Sequence, residues 1–178
     1  MFWLSIKEWV GKFMEVIIEQ LRTFRTLVFV NNYSYCDAFN NLESALDFAK
    51  EVGFKRDIIL WGSSYSASLS IQLANKRPKD INGELAFSPA SGGPMKECLP
   101  EQYFETLKVP LLMLRPPNEM ESENAKNQFD LAEKNNHHTF TPEFGRHGSS
   151  MLVEERVEND VDETWNVVFS FLNEIKNK

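Results

Sequence analysis

The stretch from Ile58 to Ala74 constrains the fold more than any other part of the chain. Its first residues are apolar and predict a buried strand, Gly62 and the serines after it predict a sharp turn, and the remainder predicts a helix. Ser64 lies in the turn. A strained strand-to-helix turn projects its side chain into the space above the sheet, where a hydroxyl can act as a nucleophile.

Strands and helices alternate along most of the chain. The predicted strands are residues 26–30, a strand that begins at Ile58, and residues 83–87, 110–114 and 138–141. Predicted helices are residues 37–50 with Asp37 as N-cap, the helix after Ser64, and residues 123–134 and 161–176. This alternation predicts an α/β fold of three layers, with about five mostly parallel strands between helices. Ligands of such sheets bind at the carboxyl ends of the strands.

The first 24 residues carry a helical pattern. Apolar residues recur at steps of three and four between Ile6 and Phe24, which predicts an amphipathic helix over residues 5–24. We expect it to pack on the sheet of a single domain spanning residues 1–178, although its apolar stripe also suits a partner or a membrane interface. Charged residues interrupt the apolar positions, so we expect neither an export signal nor a membrane span.

Charge and cysteine content restrict the partners and the compartment. The net charge of −7 argues against binding to nucleic acids or anionic membranes, because counterion release needs a basic surface. Cys36 and Cys98 lie far apart and match no metal-binding spacing, so we expect two buried free thiols and a reducing, cytoplasmic setting. The sequence contains no cofactor or phosphate-binding motif, and we expect neither cofactor nor metal.

Three side chains with complementary chemistry follow three predicted strands: Ser64, Glu119 and His147. A serine hydroxyl needs an imidazole to accept its proton, and the imidazole needs a carboxylate to set its tautomer. Glu121 is the alternative carboxylate. Either glutamate could instead have only a structural role at the start of the next helix, where an acidic side chain complements the helix dipole. For His137 and His138 we expect only a solvated role.

This order of residues resembles the α/β-hydrolase superfamily, in particular its dienelactone-hydrolase-like and small serine esterase branches. The resemblance covers residues 20–178 and implies Ser64 as nucleophile, Glu119 as acid and His147 as base, with the Tyr65 amide in the oxyanion hole. Ser66 replaces the last glycine of the nucleophile motif. The strand that normally supplies the second oxyanion donor is also missing, so the resemblance implies a shortened fold.

The resemblance implies a serine hydrolase that cleaves a small carboxylic ester. Asn31 or Asn32 would supply the missing oxyanion donor, and both would line the substrate pocket with Tyr33 and the loop of residues 88–100. An acyl transferase would differ from this hydrolase only in the molecule that takes the acyl group from Ser64, which would be another nucleophile and not water. The alternative is a non-catalytic binding or interaction module, and an exposed sheet edge would permit a homodimer.

Overall fold

A computed structural model describes residues 34–53 and 57–176, and within these residues four short parallel strands form one sheet. They are β1 (Ile59–Ser63), β2 (Gly83–Phe87), β3 (Leu111–Leu114) and β4 (His138–Phe140). Their order in the sheet is the order of the chain, β1-β2-β3-β4. All four carboxyl ends therefore lie along one edge, where the loops after the strands meet.

The helices lie between and after the strands. They are α1 (Phe39–Glu51), α2 (Tyr65–Lys76), α3 (Glu123–Lys134), α4 (Glu154–Val157) and α5 (Asp162–Lys176). Short 3₁₀ turns cover Tyr35–Ala38, Gly93–Met95, Pro100–Gln102, Pro117–Glu121 and Gly148–Leu152. The last two of these turns follow β3 and β4, and each begins close to a predicted site residue.

Two glycines show that α2 and α5 cover opposite faces of the sheet. A Cβ atom at Gly62 would lie 2.3 Å from the Cα atom of Ala67 in α2, whereas one at Gly83 would lie 2.2 Å from Ile175 in α5. Gly62 pairs with Ala86, three residues beyond Gly83, so the two glycines point to opposite faces. The result is the predicted three-layer α/β/α arrangement, in which every residue of β2 and β3 is buried.

The α/β class is confirmed, with four strands in the described residues where about five were predicted. The strand of residues 26–30 and the helix of residues 5–24 lie outside the described residues. The described residues from Ser34 onward form one compact unit, and a single domain over residues 1–178 stays a prediction. The expected N-cap was wrong: Ser34 precedes the first turn, and its amide donates to the Asp37 carboxylate at 2.8 Å.

The expectation of two free thiols was also wrong. Cys36 and Cys98 form a disulfide with a Cα–Cα distance of 5.8 Å. The loop after β2 returns to the turn that precedes α1, and this brings together two cysteines that are 62 residues apart. The disulfide removes the sequence argument for a reducing compartment, so a cytoplasmic location stays only a prediction. Within residues 34–53 and 57–176, no helix has the length and apolar character needed to cross a membrane.

Candidate active site

The turn between β1 and α2 holds Ser64 in an unusual backbone conformation. Its φ of 59° and ψ of −124° lie in a region that non-glycine residues seldom adopt. The Ser64 amide donates to the Phe87 carbonyl at 2.8 Å, and the Ser64 carbonyl accepts from the Ala67 amide at 3.0 Å. These bonds hold the sharp turn at the carboxyl edge of the sheet. Gly62 allows the turn, because any side chain there would collide with α2.

Ser66 occupies the position at which the nucleophile motif usually has its last glycine. Its hydroxyl accepts from the Ser63 amide at 2.9 Å and donates to the Ser63 carbonyl at 2.8 Å. The side chain thus bonds to the backbone at the end of β1. This substitution preserves the turn and adds a local hydrogen-bonded closure to it.

The structure brings Ser64, His147 and Glu119 into one hydrogen-bonded row. His147 Nε2 lies 2.8 Å from Ser64 Oγ, and His147 Nδ1 lies 2.5 Å from Glu119 Oε1. A neutral imidazole protonated at Nδ1 fits both contacts, since Nδ1–H then donates to the carboxylate and Nε2 accepts from the hydroxyl. The imidazole is open to solvent, with 62% of its side chain exposed, whereas only 16% of Glu119 is exposed.

Two serines that the sequence analysis did not single out anchor the His147 loop. The Gly148 amide donates to Ser88 Oγ at 2.9 Å, and the Ser149 amide donates to Ser63 Oγ at 3.0 Å. Gly148 has a φ of +66°, and a Cβ atom there would lie 2.4 Å from Ser63 Oγ. Ser63 is the last residue of β1, and Ser88 directly follows β2. This position at the end of a strand was the one feature of the sequence that could have identified them as site residues.

The second oxygen of Glu119 is held by a buried arginine, also missed from the sequence. Arg115 Nη1 donates to Glu119 Oε2 at 2.8 Å, and only 3% of the arginine side chain is exposed. Its Nη2 donates to the Pro89 carbonyl and to Gln128 Oε1. Burial lowers the pKa of Arg115, and the carboxylate of Glu119 opposes that shift. The guanidinium stays charged at neutral pH because its ordinary pKa is so high.

Tyr65 begins α2, so its amide is one of the first-turn amides that have no acceptor within the helix. Such an amide is suited to stabilise negative charge beside Ser64. The Tyr65 ring packs edge-on against the ring of Tyr35, with 4.7 Å between the centroids. Asn31, Asn32 and Tyr33, predicted to bind substrate, lie outside the described residues.

The other candidates have simpler surroundings. Glu119, and not Glu121, contacts His147. His138 is mostly exposed, but the prediction of a solvated His137 was wrong, because its Nε2 lies 2.8 Å from the Phe104 carbonyl and burial lowers its pKa. Within the described ranges, no group of three or more His, Cys, Asp or Glu side chains could hold a metal ion.

Comparison with solved structures identifies a neighbour of the same architecture. Est1E from Butyrivibrio proteoclasticus superposes with a TM-score of 0.63, over 82% of this chain and 72% of that one, at 13% sequence identity. That neighbour has an α/β-hydrolase fold. The described chain has the α/β-hydrolase fold. No protein-family model and no curated protein matches the sequence, so the similarity rests on structure and concerns the fold.

Proposed function

We propose that the chain is a serine hydrolase that cleaves a small carboxylic ester through an acyl-enzyme on Ser64. The observation that carries this proposal is the uninterrupted row from Ser64 Oγ through His147 to Glu119. The fold it shares with an esterase supports it, since in that fold the turn after the nucleophile strand carries the reactive serine.

In the proposed reaction, Ser64 Oγ attacks the ester carbonyl carbon while His147 Nε2 accepts the hydroxyl proton. Glu119 stabilises the imidazolium that forms and keeps its Nδ1–H in place. The Tyr65 amide donates to the carbonyl oxygen as it gains negative charge, and we propose Asn31 or Asn32 as the second donor. When the tetrahedral intermediate collapses, its bond to the alcohol oxygen breaks, and His147 returns the proton to that oxygen.

Water completes the cycle. His147 accepts a proton from the water that attacks the acyl carbon, and then delivers it to Ser64 Oγ as the acid is released. The open position of the imidazole would admit water or an alcohol from solvent. We propose that the acyl group is small and apolar or aromatic and that it is bound near Tyr33.

A fluorophosphonate probe tests the proposal directly, because it labels only an activated serine. We expect the full chain to be labelled at Ser64 at about pH 7.5. Ser64→Ala and His147→Ala should abolish labelling, whereas Ser44→Ala should leave it unchanged, since the Ser44 hydroxyl only bonds to Asn40 within α1. A folded wild-type chain that is not labelled would contradict the proposal and favour a non-catalytic binding module.

A further inference from the structure

One buried guanidinium connects three separate segments beside the site. Arg115 follows β3 directly, and its amide donates to the Phe140 carbonyl at 3.1 Å. Its side chain reaches Glu119 in the next turn, the Pro89 carbonyl after β2, and Gln128 on α3. Such a fork of donors in fixed geometry restricts the orientation of every acceptor that it contacts.

Glu119 needs an external constraint of this kind. A glutamate has one rotatable bond more than an aspartate, and Glu119 lies in a short 3₁₀ turn rather than within a long helix or a strand. Its Oε1 faces His147 while its Oε2 receives Arg115 Nη1, so the two contacts together fix the plane of the carboxylate. We propose that Arg115 is a positioning residue for Glu119, an inference that rests on the function proposed above.

Arg115 is itself held rigidly. Gln128 accepts from its Nη2 and donates through its own Nε2 to the Ala90 carbonyl at 3.0 Å. The guanidinium carbon lies 5.9 Å from the centroid of the Phe129 ring, and the whole side chain is buried. The loop after β2 that contains Ala90 also contributes Ser88, whose Oγ accepts a hydrogen bond from the Gly148 amide. One short segment therefore supports both Glu119 and the loop of His147.

Loss of the guanidinium should therefore reduce turnover more than substrate binding. Mutation of the orienting carboxylate in a serine triad reduces kcat by about 10⁴-fold. If the Glu119 carboxylate stays beside His147 but rotates freely, we expect only part of this loss in kcat. We expect Arg115→Met to lower kcat for p-nitrophenyl acetate by about 10- to 100-fold with little change in KM, and Arg115→Lys to restore part of the loss because it returns the charge without the fork.

A double-mutant cycle with Glu119→Gln separates positioning from a general loss of stability. If Arg115 acts through Glu119, Arg115→Met should lower kcat in the wild-type background and have almost no effect in the Glu119→Gln background. Arg77→Met is the matched control, since Arg77 also binds carboxylates, Asp47 and Asp80, but contacts none of the triad residues. We expect it to leave kcat unchanged. An equal loss from Arg115→Met in both backgrounds, or no loss in either, would overturn the inference.

The tautomer of His147 supplies a measurement that needs no turnover. Two-bond ¹H–¹⁵N NMR spectra distinguish the Nδ1–H from the Nε2–H form, and the chain has only 3 histidines to assign. We expect the Nδ1–H form in the wild type and a mixture in Arg115→Met. If the wild type neither hydrolyses the ester nor reacts with the probe, the proposed function fails, and the tautomer of His147 then tests whether Arg115 positions Glu119. A change of tautomer in Arg115→Met supports that role, and an unchanged tautomer overturns it. If Arg115→Met does not fold, Arg115→Lys takes its place in the cycle and in the spectra, under the same criteria.

Discussion

Glu84→Gln is expected to change how the stability of this protein depends on pH. Glu84 stands in β2 on the face that packs against α2, and its side chain is completely buried. Its Oε1 lies 2.6 Å from Ser70 Oγ, and its Oε2 has no hydrogen-bond partner in the described part of the chain. Burial raises the pKa of this carboxyl well above its usual range, against the opposing effect of the Ser70 hydrogen bond.

The sign of the effect follows from proton binding in the two states. Folded protein retains the Glu84 proton, whereas the unfolded chain releases it above a pKa of 4.5. The unfolded state then binds fewer protons than the folded state, so the free energy of unfolding falls as pH rises through the window between the two pKa values. The slope from one such group is about 1.4 kcal/mol per pH unit. Glutamine has nearly the shape of the neutral acid and does not titrate, so the variant lacks this loss.

Urea denaturation of both proteins at several pH values, with the disulfide kept intact, measures the difference. We expect the variant to gain on the wild type by about 1.4 kcal/mol for each pH unit above about 5, for as long as Glu84 stays protonated in the folded protein. All other titrating groups cancel in the difference. The exposed Glu97→Gln is the matched control, because it removes a carboxylate at the surface by the same chemical change. If the free energies of unfolding of Glu84→Gln and the wild type differ by the same amount at every pH, the reasoning is refuted, because Glu84 then has the same pKa in both states.

Three further predictions concern the site and its supports. Gly62→Ala should prevent fluorophosphonate labelling and destabilise the fold by about 1–3 kcal/mol or more, because its Cβ would overlap α2; labelling at the wild-type rate would contradict this. Replacing Cys36 and Cys98 by serine should reduce the free energy of unfolding by about 2–4 kcal/mol in denaturant titrations, and an unchanged midpoint would argue against the disulfide. Gly148→Ala should slow labelling by about 10-fold or more with a smaller loss of stability, because it displaces the His147 loop from Ser63, and equal labelling rates would show that the loop tolerates a side chain.

The strands could be predicted because helices cover both faces of the sheet. A strand buried on both sides is apolar at nearly every position, and the runs that end at Phe87 and Leu114 have this character, with Glu84 as the one charged side chain among them. Such runs differ clearly from the polar segments that follow them, which is why the predicted strand ends fall within a residue of the observed ones. The approach of Ser64, Glu119 and His147 follows from the same fact, because parallel strands place all their carboxyl ends at one edge.

The disulfide and the role of Arg115 could not be predicted in this way. Both depend on the path of irregular segments, and two cysteines at such a separation are equally compatible with free thiols. An arginine after a strand usually stays in solvent, and nothing in its neighbours along the chain shows that Gln128 and the Pro89 carbonyl will enclose it. Local patterns therefore predict the candidate triad residues better than the groups that hold them in place.

The three serines around the turn have different roles because their backbone positions differ. Ser63 ends β1 and accepts the Ser149 amide, so it anchors the histidine loop. Ser66 lies in the first turn of α2 and bonds back to the end of the strand. Ser64 alone of these three has a positive φ and faces the imidazole of His147. Serine at position 66, where the motif usually has glycine, is therefore compatible with this turn, because its hydroxyl bonds to the backbone of Ser63 while Ser64 keeps its positive φ.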